Sequence, residues 1–370
     1  MKVLIAPNSM KGSLDAFDFA DIVEEAFLSV SKDFELRKLP VADGGDFTGQ
    51  VLAKNLNAKE VSIEVVGPLG KMVTSKYAIS GKKAIIEMAD ASGMKLVSTD
   101  ELDPMIASSF GTGQLILDAI DKGCNEIFLA IGGSATVDGG MGMMEALGFR
   151  FFDRENSKLK GNGVNLAKIK SIEKKDIRQS VKINIICDVD NSLLGKKGAA
   201  AVFGPQKGAS TDGVIKLEAG LKNWANLLED RSGMELRNIS GMGAAGGISL
   251  PLVAFFDAEI VPGADFVLDQ LGFSEQVQWT DVVITGEGKI DSQTLNNKAP
   301  FAVAKAAKQF NKPVIAIGGK VEQDASDVFD GIYTLVNGPM ELELAMKNSK
   351  RLLYNCAIQL AKTIKSLGNF

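Results

Sequence analysis

Five apolar runs in this sequence end in short segments that mix glycine with acidic, basic or hydroxyl side chains. Open α/β sheets bind ligands at such strand ends. Residues 3–6 lead into Ser9, Lys11, Gly12 and Ser13. A lysine beside a glycine at the mouth of a helix suits a phosphate or carboxylate. The plainer alternative is a solvated Lys11 with Ser13 capping the helix. Residues 36–39 lead into Asp43, Gly44 and Gly45, where Asp43 can be a metal ligand, a base or a helix cap. Residues 127–131 lead into GGSATVDGG at 132–140. Gly132, Gly133 and the glycines at 139 and 140 let the backbone approach an anion, and Ser134, Thr136 and Asp138 add polar side chains. Residues 183–187 lead into Asp188 and Asp190, which share one side if the strand continues. They could bind Mg²⁺, one could act as a base, or they could cap a loop. Residues 282–285 lead into Gly286, Glu287, Gly288, Lys289 and Asp291. Two acids around a lysine among glycines suit a nucleotide phosphate with its metal.

No histidine occurs among the 370 residues. That excludes Ser-His-Asp and Cys-His nucleophilic sites, histidine zinc sites and a histidine base. Proton transfer falls to Asp, Glu, Lys, Tyr or Cys, and any metal is expected on oxygen ligands, which suits Mg²⁺. Neither a Walker A sequence nor a protein-kinase motif set is present. The segment GMGAAG at 241–246 fits G-x-G-x-x-G, but residues 235–240 make a poor strand before it. Close packing is therefore favoured over nicotinamide binding. The net charge of -5 argues against nucleic acid or a membrane surface as partner. Cys124, Cys187 and Cys356 are scattered and read as small buried residues of a reduced cytoplasm. No apolar run reaches about 18 residues, so no membrane span is expected. The short run at 3–6 reads as a buried strand rather than a secretion signal.

The elements that must position these residues follow from periodicity. Residues 2–7 and 34–40 read as strands, with a helix over 14–31 between them and another up to about 54. Residues 59–66, 73–80 and 82–88 read as an antiparallel meander. Residues 104–122 and 217–229 read as helices, and 126–131 and 181–187 as strands. Strands at 281–285, 313–317 and 331–336 alternate with helices, and one terminal helix covers 341–366. A chain of this length is expected to form two α/β domains. The pattern predicts a discontinuous doubly wound domain at 1–66 plus 281–370, with a mixed-sheet α/β domain inserted at 67–280.

The segments IAPNSMKGSLDA at 5–16, ADGGD at 42–46, SFGTGQL at 109–115, GGSATVDGG at 132–140, CDVDNSLLG at 187–195 and AAAVFGPQKGA at 199–209 form an ordered set. GMGAAGG at 241–247, TGEGKIDSQTLNNKAP at 285–300 and VIAIGG at 314–319 complete it. Together they resemble the type-1 glycerate kinase family across nearly the whole chain. The resemblance implies transfer of a phosphoryl group from ATP to D-glycerate with Mg²⁺, giving 2-phosphoglycerate. It also implies a flavodoxin-like domain, a mixed-sheet domain and an active-site cleft between them. A cytoplasmic monomer or homodimer acting on a small molecule is expected. Four positions depart from the family pattern: Lys289 for a usual Arg, Val137 for Asn, Asp46 for Glu and Asn297 for Gly.

Phosphoryl transfer needs positioning and charge neutralisation more than covalent chemistry. Asp188 or Asp43 is expected to be the base, and Lys11 and Lys289 to balance charge on the substrate or the transferring group. Asp190, Glu287 and Asp291 are the candidate metal ligands. Ser9, Gly12, Gly44, Gly45, Gly132, Gly133, Ser134, Thr136, Asp138, Gly286 and Lys289 bind substrate or phosphate. A nicotinamide-dependent hydroxy-acid dehydrogenase and a non-catalytic small-molecule sensor are the alternatives.

Overall fold

The computed structural model describes residues 1–45, 47–173, 181–291, 298–322 and 328–367. Asp46 and Asn297, two of the departures from the family pattern, lie outside them. Tertiary contacts divide the chain into two compact units, Met1–Asp43 with Pro262–Phe370, and Gly44–Val261. The first unit opens with β1 (Lys2–Ile5), α1 (Ala16–Val30) and β2 (Glu35–Lys38). Asp15 caps α1 by accepting from the Asp18 amide at 2.7 Å.

The second unit begins with α2 (Thr48–Asn55), β3 (Lys59–Val66), β4 (Met72–Ser80), β5 (Lys83–Glu87) and α3 (Ala89–Ser92). It continues through α4 (Phe110–Asp121), β6 (Glu126–Ala130), α5 (Met141–Ala146), β7 (Arg150–Phe152), β8 (Lys158–Leu159) and β9 (Ser171–Glu173). It closes with β10 (Lys182–Cys187), α6 (Ala199–Phe203), α7 (Thr211–Ser232), α8 (Ser249–Phe255) and β11 (Asp257–Pro262). Its main sheet has the order β11-β10-β6-β5-β4-β3. β10, β6 and β5 run parallel, whereas β4 runs antiparallel to β5 and β3, as the meander reading expects. β3 therefore belongs to this sheet, and the first join falls near residue 43 rather than 66. A small antiparallel sheet, β8-β7-β9, is separate. Trp224 on α7 is fully buried, packs edge-on to Phe151 and donates from Nε1 to the Gly139 carbonyl at 2.9 Å. The helix expected from residue 104 begins only at Phe110. Asp103 draws in the Met105 amide at 2.9 Å, which holds the intervening residues in a turn.

The chain then returns to the first unit with α9 (Gly263–Gln270), α10 (Phe273–Trp279), β12 (Val282–Ile290), α11 (Ala299–Lys308), β13 (Val314–Val321), β14 (Gly331–Thr334), α12 (Leu342–Lys347) and α13 (Ser349–Leu367). All five strands are parallel, in the order β14-β13-β12-β1-β2. Numbered within the unit, this is the flavodoxin-like 2-1-3-4-5 order. Alternation along β1 builds two cores. Val3 and Ile5 pack with residues of α1 and α13, and Leu4 and Ala6 with residues of α9, α10 and α11. Leu268 and Phe273 join that second core, so α9 and α10 belong here and the second join falls near 262 rather than 280. The terminal helix is broken at Asn348, whose side-chain amide donates to the Leu344 carbonyl at 2.8 Å. Among the described residues no helix is long and apolar enough to cross a membrane.

Candidate active site

In the five-stranded sheet the strand order reverses between β1 and β12, and ligands bind at the carboxyl ends of strands at such a point. The loop after β1 and the end of β12 line a cavity of about 620 Å³ there. It gathers six of the expected residues: Ser9, Lys11, Asp43, Glu287, Lys289 and Asp291. Lys298 and Lys320 also line it, and both escaped the sequence reading. Asp43 is 4% exposed and forms an ion pair with Lys298 at 3.1 Å. Lys289 pairs with Asp291 and, at 3.3 Å, with Glu322, which also meets Lys320 at 3.0 Å. The hydrogen bond to Asp291 raises the Lys289 ammonium above its ordinary value, so the cation persists at neutral pH.

Backbone contacts hold the loop after β1 in place. The Asn8 amide donates to the Gly286 carbonyl at 2.9 Å, and Asn8 Oδ1 accepts from the Ser9 amide at 2.8 Å. Gly12 adopts a left-handed φ of 73°, and a Cβ on it would lie 3.0 Å from Met346 Cε. Gly12 thus serves loop geometry beside the cavity. Gly286 is buried, and a Cβ there would fall 2.2 Å from the Ile317 carbonyl oxygen. Only a residue without a side chain fits there, where β12 pairs with β13. Gly288 and Gly319 do line the cavity, and the close approach of Gly319 to the Gly288 carbonyl leaves no space for a side chain.

Glu287 and Asp291 line this cavity, and carboxylates are the donors that Mg²⁺ prefers. Among the described residues no three acidic or sulfur side chains converge on one cation position. The set fits Mg²⁺ in its usual setting, where phosphate oxygens and water supply most ligands. Asp190, the third expected ligand, belongs to the other unit and is exposed. Asp188 is also exposed in that unit, just past the end of β10.

In the second unit Gly45, Gly132 and Gly133 line a smaller cavity of about 260 Å³ with Phe47, Glu87 and Lys95. Burial raises the Glu87 carboxyl, against the opposing bonds from the Gly49 and Gln50 amides. Gly44 donates to Thr48 Oγ1 at 3.1 Å. Ser134 and Thr136 are buried. Lys207, 2% exposed, donates from Nζ to Ser134 Oγ at 2.6 Å and to the Thr136 carbonyl at 2.7 Å. Burial pushes its ammonium down to about 7. Asp138 is fully buried and accepts from the Ser109 amide and hydroxyl, both at 2.8 Å, and from the Gly140 and Gly142 amides at 3.1 and 3.2 Å. Burial raises this carboxyl while the four donors pull it down. A carboxylate enclosed this way ties α4 to the glycine loop.

The segment at 241–246 is a turn with no strand before it. Gly246 lies against the Thr136 carbonyl, so its glycines permit close chain packing, as the sequence reading favours. Lys207 and Lys298 sit inside the family-like stretches 199–209 and 285–300, which is the signal that could have singled them out.

The model of the glycerate kinase family matches residues 3–365. A glycerate kinase of Halalkalibacterium halodurans is 44% identical, with 97% of both chains covered. A glycerate 2-kinase of Escherichia coli K12 is 37% identical over the full length of both. A crystal structure from Salmonella typhimurium LT2, provisionally named glycerate kinase 2, matches all of both chains at 39% identity with a TM-score of 0.89. With its charged cavity at the switch point of a flavodoxin-like sheet, the chain belongs to the glycerate kinase family.

Proposed function

We propose that this chain transfers the terminal phosphoryl group of ATP to D-glycerate, giving 2-phospho-D-glycerate with Mg²⁺ as the metal. The observation that carries this reading is the convergence of Lys11, Asp43, Glu287, Lys289, Asp291 and Lys298 on one cavity at the strand ends. Lysines balance the charge of a transferring phosphoryl group, and a carboxylate takes the hydroxyl proton late in transfer. Asp43 lines the cavity, which supports it as that base, with Lys298 orienting it at 3.1 Å. Asp188 is the second candidate base. Glu287 and Asp291 would hold Mg²⁺, which when bound neutralises phosphate charge. The glycines at 45, 132 and 133 line a space small enough for a three-carbon acid and are the proposed glycerate contacts.

A coupled ATP assay over small hydroxy acids, with phosphorus NMR of the product, tests the reading. Turnover with D-glycerate and a 2-phosphate signal is expected. No ADP release with D-glycerate, Mg²⁺ and ATP would overturn it. Hydride transfer from a nicotinamide has no comparable support, because the turn at 241–246 lacks the strand that such a fingerprint requires.

A further inference from the structure

The 620 Å³ cavity is far larger than a three-carbon acid and has two chemically different ends. The charged end is the one described above. The other is lined by Leu335, Val336, Met340, Leu342, Met346 and Leu352, contributed by the segment after β14, by α12 and by the start of α13. Leu342 lines this end and is 75% exposed, so one apolar side chain stands open to solvent at its rim while Leu335 and Leu352 are buried. The two ends are mechanically joined. Ser13 Oγ donates to the Met346 carbonyl at 3.3 Å, and Gly12 sits against the Met346 side chain.

From this we infer that the apolar end holds the base of the nucleotide, so that α12 and the segment before it form the base site and the lysines receive the phosphates. The inference rests on the phosphotransfer reading and extends it to a position for the base. Apolar side chains suit a flat heteroaromatic ring, and cavities of about 300–1,000 Å³ typically enclose ligands of nucleotide size. An anionic chain running from that ring meets Lys11, Lys289 and Lys298 at the other end. Neither end alone uses the volume, and a nucleoside polyphosphate matches both in order.

Calorimetric titration of ADP and of inorganic tripolyphosphate separates the two ends. Leu342→Asp places a charge at an already exposed position, and Ala345→Trp fills the apolar end from the half-buried face of α12. Both variants are expected to weaken ADP by about tenfold or more, the loss of one apolar side-chain contact. Tripolyphosphate affinity and the KM for glycerate should stay within about twofold of wild type, with unchanged circular dichroism and melting temperature. Unchanged ADP affinity in both variants would overturn the inference, as would an equal loss for ADP and tripolyphosphate. Absence of any ADP or ATP binding to the wild-type chain would instead defeat the phosphotransfer reading itself.

Discussion

Replacing Lys207 with methionine should remove a rise of stability with pH that wild type shows above about pH 7. In the folded chain burial lowers this ammonium from its ordinary 10.5 to about 7. That gap corresponds to about 5 kcal/mol at about 1.4 kcal/mol per decade. Below about pH 7 the folded and unfolded chains both carry the proton, and the cost of burying it is constant. Between about 7 and 10.5 the unfolded chain binds a proton that the folded chain does not, so stability rises with pH through this window. Above it neither state is charged. Wild type should therefore gain on the methionine variant at about 1.4 kcal/mol per pH unit. Loss of the bonds to Ser134 and Thr136 shifts the methionine curve by a constant and leaves this slope alone. The assay is urea denaturation from pH 7 to 9.5, followed by Trp224 fluorescence in a Trp279→Phe background. Trp224 lies in the same unit as Lys207, and these are the two tryptophans of the chain. Parallel curves for the two proteins would refute the depressed lysine.

Asp43→Asn should lower kcat by about 10²–10⁴-fold in the coupled assay. Near-full kcat in both Asp43→Asn and Asp188→Asn would remove the carboxylate base from the mechanism. Asp138→Asn turns an amide donor toward groups that already donate, and should destabilise the second unit by at least about 3 kcal/mol in urea. Gly286→Ala must displace the Ile317 carbonyl, and a loss of about 1–3 kcal/mol is expected; a melting temperature equal to wild type would contradict the packing role.

The parallel sheet was legible because β1 and the first half of β12 are apolar runs and the helices between strands keep one apolar face. Strand ends were legible for the same reason, and six residues read from them converge on the main cavity. What the sequence left open has physical causes. Sequence spacing does not say whether a glycine faces a ligand or, as Gly286 does, a neighbouring carbonyl. It also does not say whether a polar side chain turns inward, as Ser134 does toward Lys207 and Asp138 does toward Ser109 and backbone amides. Lys207 looked like any loop lysine beside a glycine. The domain joins depend on strand pairing and helix packing, which local patterning does not encode.

The position of β1 in its sheet also constrains how the chain is made. Val3 pairs with Leu36 on one side and with Val282 on the other. At about 5–20 residues per second, β1 emerges from the ribosome on the order of tens of seconds before its second neighbour exists. The unit Gly44–Val261 is complete within that interval and can close around its own core. The first unit must keep an apolar strand edge waiting until β12 arrives. Nascent chains stalled before residue 282 should therefore carry a folded middle and an unsatisfied beginning, the state in which this protein is most exposed to aggregation.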